Sequence, residues 1–152
     1  ENGLTLLGYL AFFDAPKQSA AAAIEKLHRL HVDVRVLTGD NQDVAVSICR
    51  RLGIDTMHTL TGAELELLTD NEIPVKLEHT TVFSELSPKQ KVQVVRTLRA
   101  NGHTVGFLGD GMNDLPAIVE SDVGISVDTA AETVKEVADV VLLKKDLNVL
   151  EE

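Results

Sequence analysis

Short apolar runs alternate with segments of helical periodicity along the chain, and this alternation restricts the fold more than any other feature of the sequence. Strands joined by helices form right-handed β-α-β units, which assemble into a parallel sheet covered by helices on both faces. We therefore predict one α/β domain over residues 1–152, an open, doubly wound parallel sheet. The predicted strands are residues 4–13, 32–37, 80–83, 104–108, 123–127 and 140–143.

Helix starts are marked by hydroxyl side chains that can accept hydrogen bonds from the first free backbone N–H groups of a helix. A hydroxyl residue followed three positions later by Glu or Gln, the capping-box spacing, occurs at Thr61, Ser87 and Thr129. Pro88 stands at the first helical position, where its missing N–H costs nothing. The predicted helices are 18–30, 43–52, a short one after Thr61, 87–100, 113–119 and one after Thr129.

Composition limits the classes of function. The chain has 14 Lys+Arg against 24 Asp+Glu, and its net charge of −10 opposes binding to nucleic acid or anionic lipid. The single cysteine, Cys49, excludes an intrachain disulfide and fits an intracellular compartment, where we expect it to be a buried structural residue. No run reaches the roughly 18 apolar residues of a membrane-spanning helix. The sequence starts at Glu1 rather than Met, so we expect either a processed product or a piece of a longer protein.

Two predicted strands run directly into turns rich in glycine and aspartate. These turns are residues 38–41 (Thr-Gly-Asp-Asn) and 109–114 (Gly-Asp-Gly-Met-Asn-Asp). The carboxyl ends of parallel strands form the ligand-binding edge of such a sheet, and glycine lets the backbone approach an anion closely. Asp110 and Asp114 suit Mg²⁺, which takes one or two carboxylates together with water and phosphate oxygens. Lys89 and Lys91 are candidates to neutralise a phosphate at the same edge.

The two turns differ in how specific they are. A Thr-Gly-Asp sequence alone is common turn chemistry. The second run packs glycines, carboxylates and an amide more tightly than an ordinary turn requires, so we interpret it as functional. Lys89 and Lys91 could also be ordinary solvated charges on a helix surface.

These motifs recur together and in the same order in one protein family. They are residues 14–17 (Asp-Ala-Pro-Lys), 38–41, Pro88 with Lys91, and 109–117, followed by closing segments at 123–127 and 138–142. Over nearly its whole length the sequence resembles the phosphorylation domain of P-type cation-transporting ATPases, within the haloacid dehalogenase-like superfamily. Residues 101–111 and 123–129 are most similar to the bacterial magnesium-transporting branch.

The resemblance implies a role for each matching residue. Thr38, beside Gly39, would hydrogen-bond the transferred phosphoryl group, and Lys91 would stabilise the phosphorylated aspartate. Asp110 would bind Mg²⁺, and Asp114 would support the same metal. The resemblance further implies that Asp114 and Asn113 together support the metal, the nucleophile and the phosphate. It also implies that Asp40 orients the nucleotide or the phosphoryl loop, and that Lys17 is a basic position near the nucleotide domain.

The sequence departs from the family pattern at three places. The nucleophile sequence Asp-Lys-Thr-Gly-Thr is absent, and so is the Asp-x-Asp signature of the soluble phosphatases. Ala15 replaces a usual proline, and Ser84-Glu85 replaces alanine and a basic residue, so we expect the Glu85 carboxylate to weaken nucleotide attraction. The sheet is therefore expected to lack its central nucleophile strand, and the strand at 4–13, dimerisation or a second chain must cover the gap.

The resemblance implies a cytoplasmic fragment of a bacterial inner-membrane pump that uses Mg²⁺ and ATP. Its partners would be the nucleotide-binding, actuator and transmembrane domains of the parent pump, and the isolated chain should not phosphorylate itself. Two alternatives stay open, a free-standing phosphatase of the same superfamily and a non-enzymatic module that senses Mg²⁺ or phosphate.

Overall fold

The computed structural model describes residues 18–144, and helices and strands alternate throughout that range. Its helices are α1 (Gln18–Arg29), α2 (Gln42–Arg51), α3 (Gly62–Leu67), α4 (Glu72–Glu78), α5 (Pro88–Ala100), α6 (Leu115–Glu120) and α7 (Glu132–Val137). Its strands are β1 (Val36–Leu37), β2 (Thr59–Thr61), β3 (Val82–Ser84), β4 (Gly106–Leu108), β5 (Val123–Val127) and β6 (Val140–Leu142). None of the helices in this part of the chain is long and apolar enough to cross a membrane.

The described strands form two three-stranded sheets in which all pairs are parallel. The first sheet has the order β1-β3-β2, and the second has the order β4-β5-β6. In the first sheet Val36 and Thr59 both lie opposite Val82, and in the second Ile125 lies opposite Val140. The predicted α/β class with parallel strands is confirmed. The predicted strand at 4–13 lies outside the described residues.

Local sequence signals located some elements and missed others. Strand β2 was not predicted, and it has only three residues. Helix α4 was not predicted either, and it contains Pro74, a residue type that disrupts helix interiors. Pro74 is tolerated because it lies in the first turn of α4, where backbone N–H groups have no intrahelical partner. The predicted strand at 32–37 is reduced to Val36–Leu37.

The predicted cap at Thr129 is wrong. Helix α7 begins at Glu132, its N-cap residue is Ala131, and no side chain caps it. The N–H of Asp128 donates to the Leu142 carbonyl and that of Ala130 to the Val127 carbonyl, which fixes this segment as a turn at the end of β5.

Among residues 18–144, three apolar clusters hold the sheets and helices together. The first surrounds Phe83 between the first sheet and helices α3 to α5, and the second surrounds Phe107 between the second sheet and helices α5 to α7. Leu37 of β1 and Val105, just before β4, pack against both of these clusters, so the two sheets share a continuous core at this junction. The third cluster lies behind the first sheet and contains Cys49, which is 1% exposed. Burial raises the pKa of its thiol, and the predicted structural cysteine is confirmed.

One face of the second sheet is only partly covered by the described residues. Leu108, Ile125 and Val140 lie opposite one another across β4, β5 and β6, which places them in one row on one face. Within the described range Leu108 is 39% exposed and Val140 is 42% exposed. The first sheet, by contrast, has apolar clusters on both faces, around Val82 and around Phe83.

The capping box of α3 leads to a prediction of pH dependence. The backbone N–H of Thr61 and then its hydroxyl donate to the Glu64 carboxylate, and these hydrogen bonds lower the pKa of Glu64. Because the folded pKa lies below the unfolded one, the stabilisation is complete above the unfolded pKa and is lost as pH falls through the folded pKa. At neutral pH we expect Glu64→Gln to lower the free energy of unfolding by about 0.5 kcal/mol, since this surface group is screened by water.

Urea unfolding of both proteins from neutral to acidic pH checks this expectation. The difference between parent and variant should shrink as the solution is acidified. A difference that stays constant or grows in acid would show that the charge of Glu64 is not what stabilises the start of α3.

Candidate functional site

The two predicted turns lie at the carboxyl ends of the outer strands β1 and β4. The N–H of Thr38 donates to the Phe83 carbonyl at 2.9 Å, which extends the β1–β3 pairing by one residue. The N–H of Gly109 donates to the Ile125 carbonyl at 3.1 Å and extends the β4–β5 pairing in the same way. Each outer strand therefore leads directly into one of the two polar turns, as the sequence predicted.

Internal hydrogen bonds give the turn after β1 a defined shape. The hydroxyl of Thr38 accepts the N–H of Asp40 at 3.0 Å and donates to the Asp40 carboxylate at 3.0 Å. Asn41 follows as the N-cap of α2, and its side-chain oxygen accepts the N–H of Asp43. Gly39 and Asp40 are exposed, so a ligand at the sheet edge can reach both.

The segment before α5 holds this turn in place. The N–H of Leu86 donates to the Thr38 carbonyl at 3.0 Å, and the N–H of Glu85 donates to the Asp40 carbonyl at 2.9 Å. The Glu85 carboxylate accepts hydrogen bonds from the side chain of Asn41 and the backbone of Gln42. Sequence reasoning missed this attachment, since no local pattern indicates that residue 85 reaches residue 41.

Lys91 and Asp114 form the central polar contact of the site. The Nζ atom of Lys91 lies 2.6 Å from Oδ1 of Asp114, and their side chains are only 11% and 17% exposed. Lys91 belongs to the first turn of α5, and Asp114 immediately precedes α6, which packs against α5. The other candidate, Lys89, is exposed on the same helical turn. The helical spacing alone offered both lysines and the family resemblance selected Lys91, which is the lysine that the structure brings to Asp114.

Gly109 allows the close approach of Asp114. A Cβ atom on Gly109 would lie 2.5 Å from the Cβ of Asp114 and 3.1 Å from its Cγ. Carbon atoms that are not bonded to each other do not approach so closely, so only glycine fits beneath the Asp114 side chain. At Gly111 the nearest atom, Oδ2 of Asp114, is 3.7 Å from the corresponding position, which is an ordinary contact.

The remaining predicted residues lie around this contact or outside the described range. Asp110 and Asn113 are exposed on the turn that links β4 to α6. Lys17 and the rest of residues 14–17 lie outside the described residues. The turn therefore brings Asp110 and Asn113 near Asp114 along the chain, and the placement of Lys17 stays a prediction.

The donor set fits a metal that keeps part of its water shell. Among residues 18–144 no group of three or more His, Cys, Asp or Glu side chains could enclose a metal ion. Asp110 and Asp114 supply two carboxylates, and Asp114 already shares one oxygen with Lys91. Mg²⁺ is commonly held by one or two carboxylates plus water and phosphate oxygens, so these residues fit Mg²⁺ in company with a phosphate.

Comparisons with known proteins agree with this geometry. A family model described as haloacid dehalogenase-like hydrolase matches residues 2–122. The chain is 52% identical over 152 residues to "Magnesium-transporting ATPase, P-type 1" of Salmonella typhimurium strain LT2, and 43% identical over 152 residues to the protein of that name in Escherichia coli strain K12. It is 35% identical over 145 residues to "Calcium-transporting ATPase 1" of Bacillus cereus.

The matches cover nearly all of this chain but only a small part of each relative. The match includes 100% of this chain but 17% of each magnesium-transporting relative, and 93% of this chain but 16% of the calcium-transporting one. Among solved structures, the catalytic domain of the CPx-ATPase CopB-B is similar with a TM-score of 0.67 and 25% identity, over 89% of this chain and 43% of that chain. The predicted resemblance to P-type ATPases is confirmed.

Proposed function

The chain belongs to the haloacid dehalogenase-like hydrolase family, and we propose that it forms part of the phosphorylation domain of a magnesium-transporting P-type ATPase. In that role it supplies residues that bind Mg²⁺ and stabilise a phosphoryl group during ATP-driven phosphorylation and dephosphorylation of an aspartate. The observation that carries the proposal is the 2.6 Å contact between Lys91 and Asp114, whose side chain packs against Gly109 at the carboxyl end of β4. A largely buried lysine paired with one carboxylate, with Asp110 on the same turn, suits a dianionic phosphate accompanied by Mg²⁺.

Each side chain has a distinct task in this proposal. Lys91 neutralises phosphoryl oxygens, and its ion pair with Asp114 fixes the position of both groups. The hydroxyl of Thr38 and the exposed backbone at Gly39 position the phosphoryl group, and Asp40 orients the loop through its bonds to Thr38. Asp110 and Asp114 hold Mg²⁺, which supplies charge neutralisation on the transferred group when it is bound. Asn113 supports the phosphate, and Lys17 contributes a positive charge towards ATP.

The nucleophile comes from a strand that this sequence does not contain. Neither Asp-Lys-Thr-Gly-Thr nor Asp-x-Asp occurs in the chain. Among the described residues, β1 and β4 are outer strands with one edge unpaired, and both lie at the junction marked by Leu37 and Val105. One additional strand between them would unite the two sheets and present its carboxyl end between Thr38 and Asp110. A homodimer that covers the incomplete sheet is the competing arrangement, and sedimentation distinguishes it from a monomer.

The other domains of the parent pump complete the proposed activity. The nucleotide-binding domain delivers ATP, the actuator domain assists hydrolysis of the aspartyl phosphate, and the transmembrane domain carries the ion. The chain itself would lie on the cytoplasmic side of the bacterial inner membrane.

Incubation of the chain with labelled ATP and Mg²⁺ tests the proposed division of labour. We expect no acid-stable, hydroxylamine-sensitive acyl phosphate, because the proposed nucleophile strand is supplied by another segment. Formation of an acyl phosphate on this chain would overturn the proposal. The matched control is Asp110→Asn, which should abolish any genuine Mg²⁺-dependent labelling.

Two further assays separate the alternatives. Hydrolysis of a generic aryl phosphate that depends on Asp110 would favour a free-standing phosphatase. Inertness, combined with saturable partner binding that Asp110→Ala abolishes, would favour a module that senses Mg²⁺ or phosphate.

A further inference from the structure

Glu85 has a backbone conformation that side-chain-bearing residues rarely adopt. Its φ angle is +56°, in the left-handed region, at the point where β3 ends and the chain turns toward α5. Such a conformation is unfavourable for residues other than glycine, asparagine and aspartate, and it persists only where the surrounding structure fixes it. The contacts around Glu85 therefore indicate what this conformation maintains.

The backbone of residues 85 and 86 forms hydrogen bonds to the 38–41 turn. In the left-handed conformation Glu85 directs its N–H to the Asp40 carbonyl, and the next N–H, of Leu86, reaches the Thr38 carbonyl. Two successive N–H groups thus bind two carbonyls of one loop. This arrangement fixes the loop relative to the start of α5, the helix that carries Lys91.

The opposite side of the Glu85 backbone is fixed by α3. A Cβ atom on Gly62 would lie 2.5 Å from the Glu85 carbonyl oxygen, so the two segments are in direct contact. The side chain of Gln90 donates to the Gly62 carbonyl at 2.8 Å and also closes the capping box with Ser87. The unusual conformation of Glu85 is therefore held from both sides.

The side chain of Glu85 accepts hydrogen bonds at the other end of the same turn. One carboxylate oxygen accepts from Asn41 Nδ2 at 3.1 Å and from the N–H of Gln42 at 3.3 Å. Gln42 is the first residue of the ten-residue helix α2, whose N-terminus carries partial positive charge and favours a carboxylate. Backbone and side chain of this one residue thus hold the turn from Asp40 to Gln42.

We propose that Glu85 is the positioning residue of the phosphoryl-binding turn at 38–41. The inference rests on the proposed function, which makes that turn the place where phosphate binds. It also predicts an effect on phosphate affinity opposite to the one expected from the charge of Glu85 alone. A carboxylate near an anion site should repel phosphate, so its removal should tighten binding, whereas loss of a positioning residue should weaken binding.

The test compares Glu85→Ala, Glu85→Gln and Glu85→Gly in the full chain. The probes are inorganic phosphate with Mg²⁺, titrated by NMR, and hydrogen exchange at the amides of Leu86 and Gln42. Glu85→Ala should bind phosphate about fivefold more weakly and exchange the Gln42 amide about tenfold faster, the size expected for one lost hydrogen bond. Glu85→Gln retains an acceptor oxygen and should stay within about twofold of the parent protein. Glu136→Ala, an exposed charge on α7, is the matched control.

Glu85→Gly separates positioning from stability. Glycine adopts positive φ without strain, so this variant should unfold at the same or higher urea concentration than the parent. Its Gln42 amide should nevertheless exchange as fast as in Glu85→Ala, because the carboxylate is gone.

Two results would overturn the inference. The first is unchanged exchange at Gln42 and Leu86 in Glu85→Ala. The second is tighter phosphate binding in both Glu85→Ala and Glu85→Gln, which would show that only the charge acts. If the parent protein binds no phosphate with Mg²⁺, the proposed function fails, while the exchange rates still decide whether Glu85 holds the turn.

Discussion

Replacing Lys91 with methionine should reduce the affinity for phosphate in the presence of Mg²⁺ by more than about tenfold and lower the free energy of unfolding by about 1–3 kcal/mol. Methionine keeps much of the apolar stem of lysine but removes the ammonium group. The Asp114 carboxylate, 17% exposed, then remains without the cation that lies 2.6 Å from it. Under the proposed function, the bound phosphate also loses the charge of Lys91.

The measurements are urea unfolding and an NMR titration with phosphate and Mg²⁺. Lys89→Met is the matched control, since Lys89 is exposed on the same helical turn and should change stability by less than about 0.5 kcal/mol. A double-mutant cycle with Asp114→Asn isolates the energy of the pair itself. Equal effects of the Lys89 and Lys91 substitutions would contradict the assignment of Lys91 to the site.

The affinity for Mg²⁺ in the absence of phosphate should not fall in Lys91→Met, in contrast to the affinity for phosphate. Asp114 no longer shares an oxygen with the ammonium group, so Mg²⁺ affinity without phosphate should hold or increase. A loss of Mg²⁺ affinity equal to the loss of phosphate affinity would instead indicate general collapse of the turn.

Replacing Gly109 with alanine should separate Asp114 from Lys91 and lower the free energy of unfolding by about 1–3 kcal/mol, the usual range for an overpacked site. The added methyl group would lie 2.5 Å from the Asp114 Cβ, which cannot rotate away as a side-chain end could. The backbone at Asp114 is also fixed, because its carbonyl accepts the N–H groups of Ala117 and Ile118 at 2.9 Å. The strain must therefore be relieved by moving the start of α6.

Gly111→Ala is the control for this substitution. Its added methyl group would make an ordinary 3.7 Å contact with Asp114, so its stability should stay within about 0.5 kcal/mol of the parent. Urea unfolding and the phosphate titration compare the two variants. If both variants behave alike, the close approach of Gly109 to Asp114 does not govern the site.

Local sequence patterns were sufficient for much of the fold. The capping boxes at Thr61 and Ser87 are both present, and α5 spans Pro88–Ala100 as predicted. These signals work because a capping box depends on residues three positions apart, whose geometry any helix start imposes. Strand-end turns rich in glycine and aspartate likewise indicated the chemical types of the site.

Local patterns failed where distant residues decide the outcome. Thr129 has the spacing of a cap, yet backbone bonds to Val127 and Leu142 hold this segment as a turn. The three-residue strand β2 is defined only by its pairing with β3. In both cases a hydrogen-bond partner outside the local pattern determines the conformation.

The sequence by itself determined the fold class and the strand ends that carry the polar turns, and it predicted which groups would meet Mg²⁺ and phosphate. Only the tertiary structure decided that Lys91 forms an ion pair with Asp114, that Gly109 makes room for this contact, and that Glu85 holds the 38–41 turn. The physical reason is separation along the chain. Lys91 and Asp114 are 23 residues apart and Glu85 and Asn41 are 44 apart, so the path of the folded backbone, and no local pattern, brings them together.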